Sequence, residues 1–326
     1  MSLTSINEFD IIFISYDEPN ADENFADLSS KCPWAQRSHG VYGSDAAHKA
    51  AAALSETDRF ITIDADNIVD PAFFNIEVDM DHIKPTDVIS WAGKNEINGL
   101  VYGNGGIKCW PKDVVMNMQT HENAPATDKR AQVDFCWNIN YVQMNNIYCD
   151  VMNNGSALQA WRAGFREGVK MGLVDGNVVD PQNLRQLVHK KNFQRLLTWM
   201  SVGEDVNNGL WAIYGARLGC YMTNVERDKW DWKNVRDFKW LTTFFESTIV
   251  PQFQGGDEID IRTGLRWNKE ALKEKTLELG NNLMTDLQLD LADLGPQGSK
   301  FFKSVYINPS RMAPQVREEQ VVDSIE

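Results

Sequence analysis

Residues 43–74 read GSDAAHKAAAALSETDRFITIDADNIVDPAFF. Gly43 breaks the preceding segment, and Ser44 or Asp45 can cap a helix running through AAHKAAAALSE. Ala fills six of those eleven positions, which favours helix and lets it pack closely. The apolar run Phe60-Ile61-Thr62-Ile63 then predicts a buried strand. It ends abruptly in Asp64-Ala65-Asp66. Two carboxylates at the end of a buried strand have three physical readings. They can hold a metal ion, one can be a nucleophile, or they can simply end the strand.

Working outward, FDIIFISY (9–16) reads as another buried strand, closed by the turn-rich DEPNADEN. FADLSSKCP suggests a short helix stopped at Pro33, and RSHGVY (37–42) a further strand. Downstream, DVISWAG (87–93) and LVYGNGGIKCW (100–110) read as strands, the latter interrupted by glycines, and PKDVVMNMQ (111–119) as a helix with Pro in its first turn. Strand, helix, strand, helix, strand predicts an α/β fold with a mainly parallel, Rossmann-like sheet flanked by helices. Ligands in such sheets bind beyond the carboxyl ends of the strands. Tyr16-Asp17-Glu18, Gly43-Ser44-Asp45 and Asp64-Ala65-Asp66 all lie at such ends and would share one crevice.

The second half reads as more helical. Segments 156–172, capped by Ser156, 184–200, 203–221 and 265–294 all carry apolar residues at helical spacing. After GPQG (295–298) a polar, loosely ordered tail is expected. No apolar run is long enough to span a bilayer, no signal peptide is read at the N-terminus, and five scattered cysteines without a CxxC suggest reduced thiols in a cytoplasm. The 11 Trp either pack the core or line a sugar- or base-stacking surface. The net charge of −14 argues against a polyanionic partner, but it is uneven. Residues 1–100 hold 18 acidic against 6 basic side chains, whereas residues 185–240 hold 6 against 10.

Three motifs occur in a telling order. The first is the glycine turn and Ala-rich helix, here with Ala47-His48-Lys49, followed by the strand into Asp64-Ala65-Asp66-Asn67 and then Pro71. The second is YGNGGIKCWPKD (102–113), and the third is GEDVNNGLWAIYGARLGCY (203–221), with Glu204-Asp205 at its start and Arg217-Leu218-Gly219 near its end. In this order they resemble the family-2-like glycosyltransferases of the GT-A fold. The resemblance covers about residues 9–221 and implies a GT-A domain over 1–250, with a nucleotide-sugar half (1–115) and an acceptor half (116–250). A helical extension and polar tail would follow over 251–326. It further implies a UDP-sugar donor and a divalent cation, Mn²⁺ or Mg²⁺, held by Asp66 with Asp64 helping. Tyr16, Asp17, Glu18, Asp45, His48 and Lys49 would lie around the donor. Gly105, Gly106, Lys108 and Trp110 would line the sugar and acceptor site. Asp205 would be the general base on the acceptor hydroxyl, with Glu204 beside it.

ERDKWDWKNVRDFKW (226–240) interleaves cations with aromatic rings, among them Lys229, Trp230, Trp232 and Lys233. That pattern suits phosphates and bases, or an amphipathic segment whose rings pack inward. The chain also resembles glycosyltransferases carried by tailed phages, some of which attach sugars, arabinose included, to 5-hydroxymethylcytosine. That resemblance implies double-stranded DNA as acceptor, in the cytoplasm of an infected host. A glycan or protein hydroxyl is the alternative acceptor. Two other classes stay open. In a haloacid-dehalogenase-like phosphatase Asp64 would be the nucleophile, although a strand–helix–strand unit precedes it here. A non-catalytic nucleotide-binding module would keep the fold without turnover.

Overall fold

The computed structural model describes residues 3–102, 106–125, 127–129, 131, 135, 136, 138–307 and 318–320. The first half alternates strands and helices: β1 (Leu3–Ser5), β2 (Asp10–Ser15), α1 (Ala21–Lys31), β3 (Gln36–His39), α2 (Ser44–Leu54), β4 (Arg59–Asp64), β5 (Asn67–Val69), β6 (Ile76–Asp79), β7 (Val88–Asn95), β8 (Val101–Tyr102), β9 (Lys108–Pro111), α3 (Lys112–Asn117) and β10 (Tyr141–Val151). The second half is mostly helical: α4 (Ala157–Met171), α5 (Leu184–Leu187), α6 (Lys190–Trp199), α7 (Gly209–Asn224), α8 (Phe238–Phe244), α9 (Lys269–Leu287) and α10 (Gly295–Val305).

The central sheet has eight strands in the order β3-β2-β4-β9-β7-β10-β5, with β8 paired to β7. β2 runs parallel to β3 and β4, and β7 runs parallel to β10. β9 is antiparallel to both β4 and β7, and β5 is antiparallel to β10. The fold is therefore α/β as expected, but the sheet is mixed rather than mainly parallel. The cause is local. β7 and β9 are joined without a crossover helix, so the chain can only return antiparallel.

Alternate side chains of each strand enter different cores. Ile11, Phe13, Ile61 and Ile63 join Leu28 and Phe73 on one face, while Ile12 and Phe60 join Ala51, Ala52, Trp110 and Val115 on the other. A third core binds the helical half, where Trp161, Phe165, Trp199 and Trp211 pack with Leu272, Leu279 and Leu283 of α9. Trp91, Trp110, Trp161, Trp199 and Trp211 are all fully buried, so much of the Trp excess is core packing.

α4 and α7 meet backbone to backbone. A Cβ on Gly164 would sit 1.9 Å from the Ala212 carbonyl oxygen, and one on Gly168 2.2 Å from that of Ala216. From the other side, a Cβ on Gly215 or Gly219 would lie 2.4 Å from the carbonyl oxygens of Trp161 or Phe165. No side chain fits this seam, so the two helices lock at close range.

Three expectations are corrected. The segment 184–200 is two helices, because Val188 and His189 adopt extended backbone between α5 and α6. The acidic pair Glu204-Asp205 does not open α7; the helix begins at Gly209, behind Asn208 in a left-handed conformation (φ 57°). The chain after residue 294 is not all loose tail, because GPQG is the first turn of α10, with Pro296 where a missing N–H costs nothing. The stretch 308–317 and residues 321–326 lie outside the described residues.

Candidate functional site

β2 and β4 pair in parallel with Ile14 opposite Asp64. Their carboxyl ends therefore deliver Tyr16-Asp17-Glu18 beside Asp64-Ala65-Asp66, as the strand pattern predicts. The turn between the two aspartates is pinned from both sides. The Asn24 side chain on α1 donates to the Ala65 carbonyl at 2.8 Å, and the Met152 N–H, just after β10, donates to the Asp66 carbonyl at 2.6 Å. Glu18 turns one carboxylate oxygen back to accept from the Tyr16 N–H at 2.8 Å.

These carboxylates crowd one another. Burial, then Asp64 and then Glu18 push the Asp66 carboxyl up to about 7. Facing them is Arg162 on α4, which sequence reasoning did not single out. Burial lowers its guanidinium, while Asp17, Glu18 and Asp66 act to raise it. The guanidinium carbon lies 4.5 Å from the centre of the Phe238 ring. Yet Arg162 makes no ion pair or hydrogen bond among the described residues, and the Asp17 and Asp64 carboxylates likewise accept none. Opposite charges face each other without closing. The signal for Arg162 was present in the Ser156 cap, which sets Arg162, Arg166 and Lys170 one turn apart on a single helix face.

Beside this cluster, two exposed aromatic rings meet. Tyr16 follows β2 and Tyr42 follows β3, with ring centroids 5.7 Å apart in an edge contact. Tyr42 is 62% exposed and was also not singled out.

The other donor-side residues are more enclosed. Asp45 accepts from Lys49 Nζ at 2.6 Å and from the Thr120 N–H at 3.3 Å, so these two charges satisfy each other. His48 is buried, its Nδ1 2.8 Å from the Ser44 carbonyl and its ring against Trp110 and Phe135. Burial pushes its imidazole down, with Asp64 and Asp45 opposing and Lys108 reinforcing. Lys108 Nζ donates to the Gly106 carbonyl at 3.0 Å. Gly106 itself is pressed against the Trp91 backbone, where a Cβ would lie 1.9 Å from the carbonyl oxygen. Trp110 is fully buried with its indole N–H on Thr62 Oγ1 at 2.9 Å, which makes it the floor beneath the strand ends and not a surface for sugar. Gly105 lies outside the described residues.

Glu204 and Asp205 sit in a separate turn before α7, and each is closed by a lysine. Lys273 on α9 reaches Glu204 at 3.1 Å, and Lys303 on α10 reaches Asp205 Oδ2 at 2.7 Å. Lys303 also donates to the Glu96 carbonyl, and the Ser299 hydroxyl accepts from the Gly203 N–H at 3.1 Å. The other oxygen of Asp205, Oδ1, is buried with no hydrogen-bond partner. This turn reaches the strand-end cluster through one short segment. Asn154 donates to the Asn207 carbonyl and accepts from the Asn208 side chain, two residues beyond Met152, which holds Asp66.

The basic-aromatic stretch turns its Trp rings inward, while Phe238 stays exposed beneath Arg162 and Arg166. Trp230 stacks on Trp240 at 5.9 Å and meets Phe165 edge-on, and Trp232 is half-buried against the helical core. Lys229 pairs with Glu226 at 2.7 Å, while Lys233 is half-buried in a turn capped by Asp231. Positive charge gathers where Arg236 of this stretch joins Arg166 and Lys170 of α4 around His121. Burial and then those three cations hold the His121 imidazole down to about 3.

Among the described residues, no group of three or more His, Cys, Asp or Glu side chains is placed to hold a metal ion on its own. Mg²⁺ and Mn²⁺ are commonly held by one or two carboxylates together with substrate phosphate. The crowded pair Asp64 and Asp66, with no cation bonded to either, fits that second arrangement. No helix among the described residues is long and apolar enough to cross a membrane. Comparison of the chain with protein-family models, curated proteins and solved structures found no match.

Proposed function

We propose that this protein is a nucleotide-sugar-dependent glycosyltransferase of the GT-A type, using a UDP-sugar donor. The observation that carries the reading is the set of charges left open among the described residues at the carboxyl ends of β2 and β4, with Asp64 crowding Asp66 and Asp17, Glu18 and Asp66 acting on Arg162. Mn²⁺ or Mg²⁺ at Asp66 and Asp64 would offset the negative charge that develops on a departing nucleoside diphosphate. The exposed pair Tyr16 and Tyr42 offers faces for the nucleobase. On this reading Asp205 is the general base on the acceptor hydroxyl; its Oδ2 is tied to Lys303 and its Oδ1 is buried, so an acceptor reaches it only when the Lys303 pair opens.

For the acceptor we propose 5-hydroxymethylcytosine in double-stranded DNA, with arabinose or another pentose or hexose transferred. The cations Arg166 and Lys170 of α4, gathered with Arg236 around His121, support an anionic acceptor, whereas the Trp rings of 226–240 pack against the helical core and do not. The net charge of −14 favours the second reading, a glycan or protein hydroxyl. The test is incubation with a panel of UDP-sugars, Mn²⁺ and hydroxymethylated DNA, followed by digestion to nucleosides and mass spectrometry. A pentose or hexose mass added to hydroxymethylcytidine is expected. Transfer only to a glycan or protein would remove DNA and keep the enzyme class. Release of phosphate from phosphomonoesters, with an aspartyl-phosphate trapped at Asp64, would replace the class itself.

A further inference from the structure

We infer that Arg162 is the side chain that grips the phosphate oxygens of a metal-bound nucleoside diphosphate, an assignment that rests on the donor-site reading above. A half-buried guanidinium ordinarily closes on a carboxylate, because five N–H donors left dry are costly. Among the described residues Arg162 does not, although Asp17, Glu18 and Asp66 all act on its charge. The first turn of α4 is even bonded to the loop that follows Glu18, Gln159 donating to the Asn20 side chain at 3.4 Å and Asn20 to the Met152 carbonyl at 2.9 Å. What holds it is apolar and mechanical. Phe238 lies under the guanidinium, and the glycine seam with α7 fixes the helix that carries it.

The carboxylates and the guanidinium would each be satisfied by a ligand with two kinds of charge. A cation would lie toward Asp64 and Asp66, and anionic oxygens toward Arg162. A metal-bound diphosphate has that arrangement, and a planar guanidinium can take two phosphate oxygens at once. A free metal ion does not have it, since Arg162 repels a cation approaching Asp66. Arg162 should therefore affect the two ligands with opposite sign, which a merely structural arginine would not do.

The experiment uses the full chain and its Arg162→Gln and Arg162→Lys variants. Calorimetric titrations are made with Mn²⁺ alone, with inorganic pyrophosphate in saturating Mn²⁺, and with UDP in saturating Mn²⁺. Arg162→Gln should weaken pyrophosphate and UDP by about 10–100-fold, while Mn²⁺ alone binds about 2–5-fold tighter. Arg162→Lys should recover part of the diphosphate affinity, since an ammonium keeps the charge and loses the fork. If the Gln variant does not fold, as judged by circular dichroism, the Lys variant carries the comparison. Equal weakening of Mn²⁺ and diphosphate, or unchanged diphosphate binding, overturns the role of Arg162 and leaves the donor reading standing. A wild-type chain that binds neither diphosphate in Mn²⁺ overturns both.

Discussion

The strand-end cluster and the Glu204–Asp205 turn are built from the same chemistry and use it in opposite ways. In the turn, each acid meets a lysine from the C-terminal helices, at 3.1 Å and 2.7 Å. At the strand ends, carboxylates face Arg162 and no pair closes among the described residues. The first region consumes its charges inside the fold, tying α9 and α10 to the loop before α7. The second leaves them unspent at a cost in stability, and unspent charge of both signs is what an ionic ligand needs. The open set is ready for an ionic donor as it stands, whereas Asp205 can act on an acceptor only once its lysine lets go.

The largest expected effect falls on the open region. Asp66→Ala should cost about 1,000-fold, or about 4 kcal/mol, in binding of UDP with Mn²⁺ by calorimetry. Asp66→Asn should at the same time raise the melting temperature by a few degrees, because it removes a carboxylate that burial and its neighbours disfavour. A fall in melting temperature would break the contrast. The closed region should behave in the other direction. Asp205→Ala leaves the half-buried Lys303 with the Glu96 carbonyl and no carboxylate, and should cost about 2–4 kcal/mol of unfolding free energy in urea. Combining it with Lys303→Met should restore part of that loss. An unchanged urea midpoint would show that the clasp carries no stability.

His121 sharpens the comparison through pH. Its folded-state pKa is about 3, below the ordinary value of 6.5, from burial and then Lys170, Arg166 and Arg236. The neutral ring stabilises the fold fully above pH 6.5. As pH drops toward 3 that stability is lost, because the unfolded chain takes up a proton that the folded chain refuses. His121→Phe should flatten the fall in stability between pH 7 and pH 5 by about 2 kcal/mol, read from melts across that range. The smallest effect is expected at the aromatic pair. Tyr42→Ala should weaken UDP by about 5-fold, about 1 kcal/mol, and leave pyrophosphate binding unchanged.

Much of the first half was legible because period-two and period-3.6 patterns are written locally. The strands at 9–16 and 60–63 and the helix after Gly43 form close to their expected bounds, while the strand expected over 37–42 stops at His39, where Gly40 turns the chain at φ 79°. Their shared carboxyl ends follow from parallel pairing, so Asp17, Glu18, Asp64 and Asp66 could be grouped from sequence alone. What was not legible depends on distant partners. β9 reads as a strand, but its antiparallel place between β4 and β7 is decided by register across the sheet. Arg162 lies far along the chain from Asp66, and only the packing of α4 brings them to face each other. The lysines that close Glu204 and Asp205 belong to segments read as an extension and a tail. The inward turn of Trp230 was weighed as one of two options, and the stack on Trp240 decides it.

The seam between α4 and α7 also bears on how such a protein can change over generations. Positions 164, 168, 215 and 219 tolerate a hydrogen atom and nothing larger, since any side chain would meet a backbone carbonyl. Arg162 and Arg166, carried on the same helix, lay their guanidinium groups over the Phe238 ring. Innovation and constraint are therefore interleaved within single turns of α4. A lineage can exchange one charge for another on the outer face, and so acquire a different ligand, while four glycines keep the scaffold from drifting.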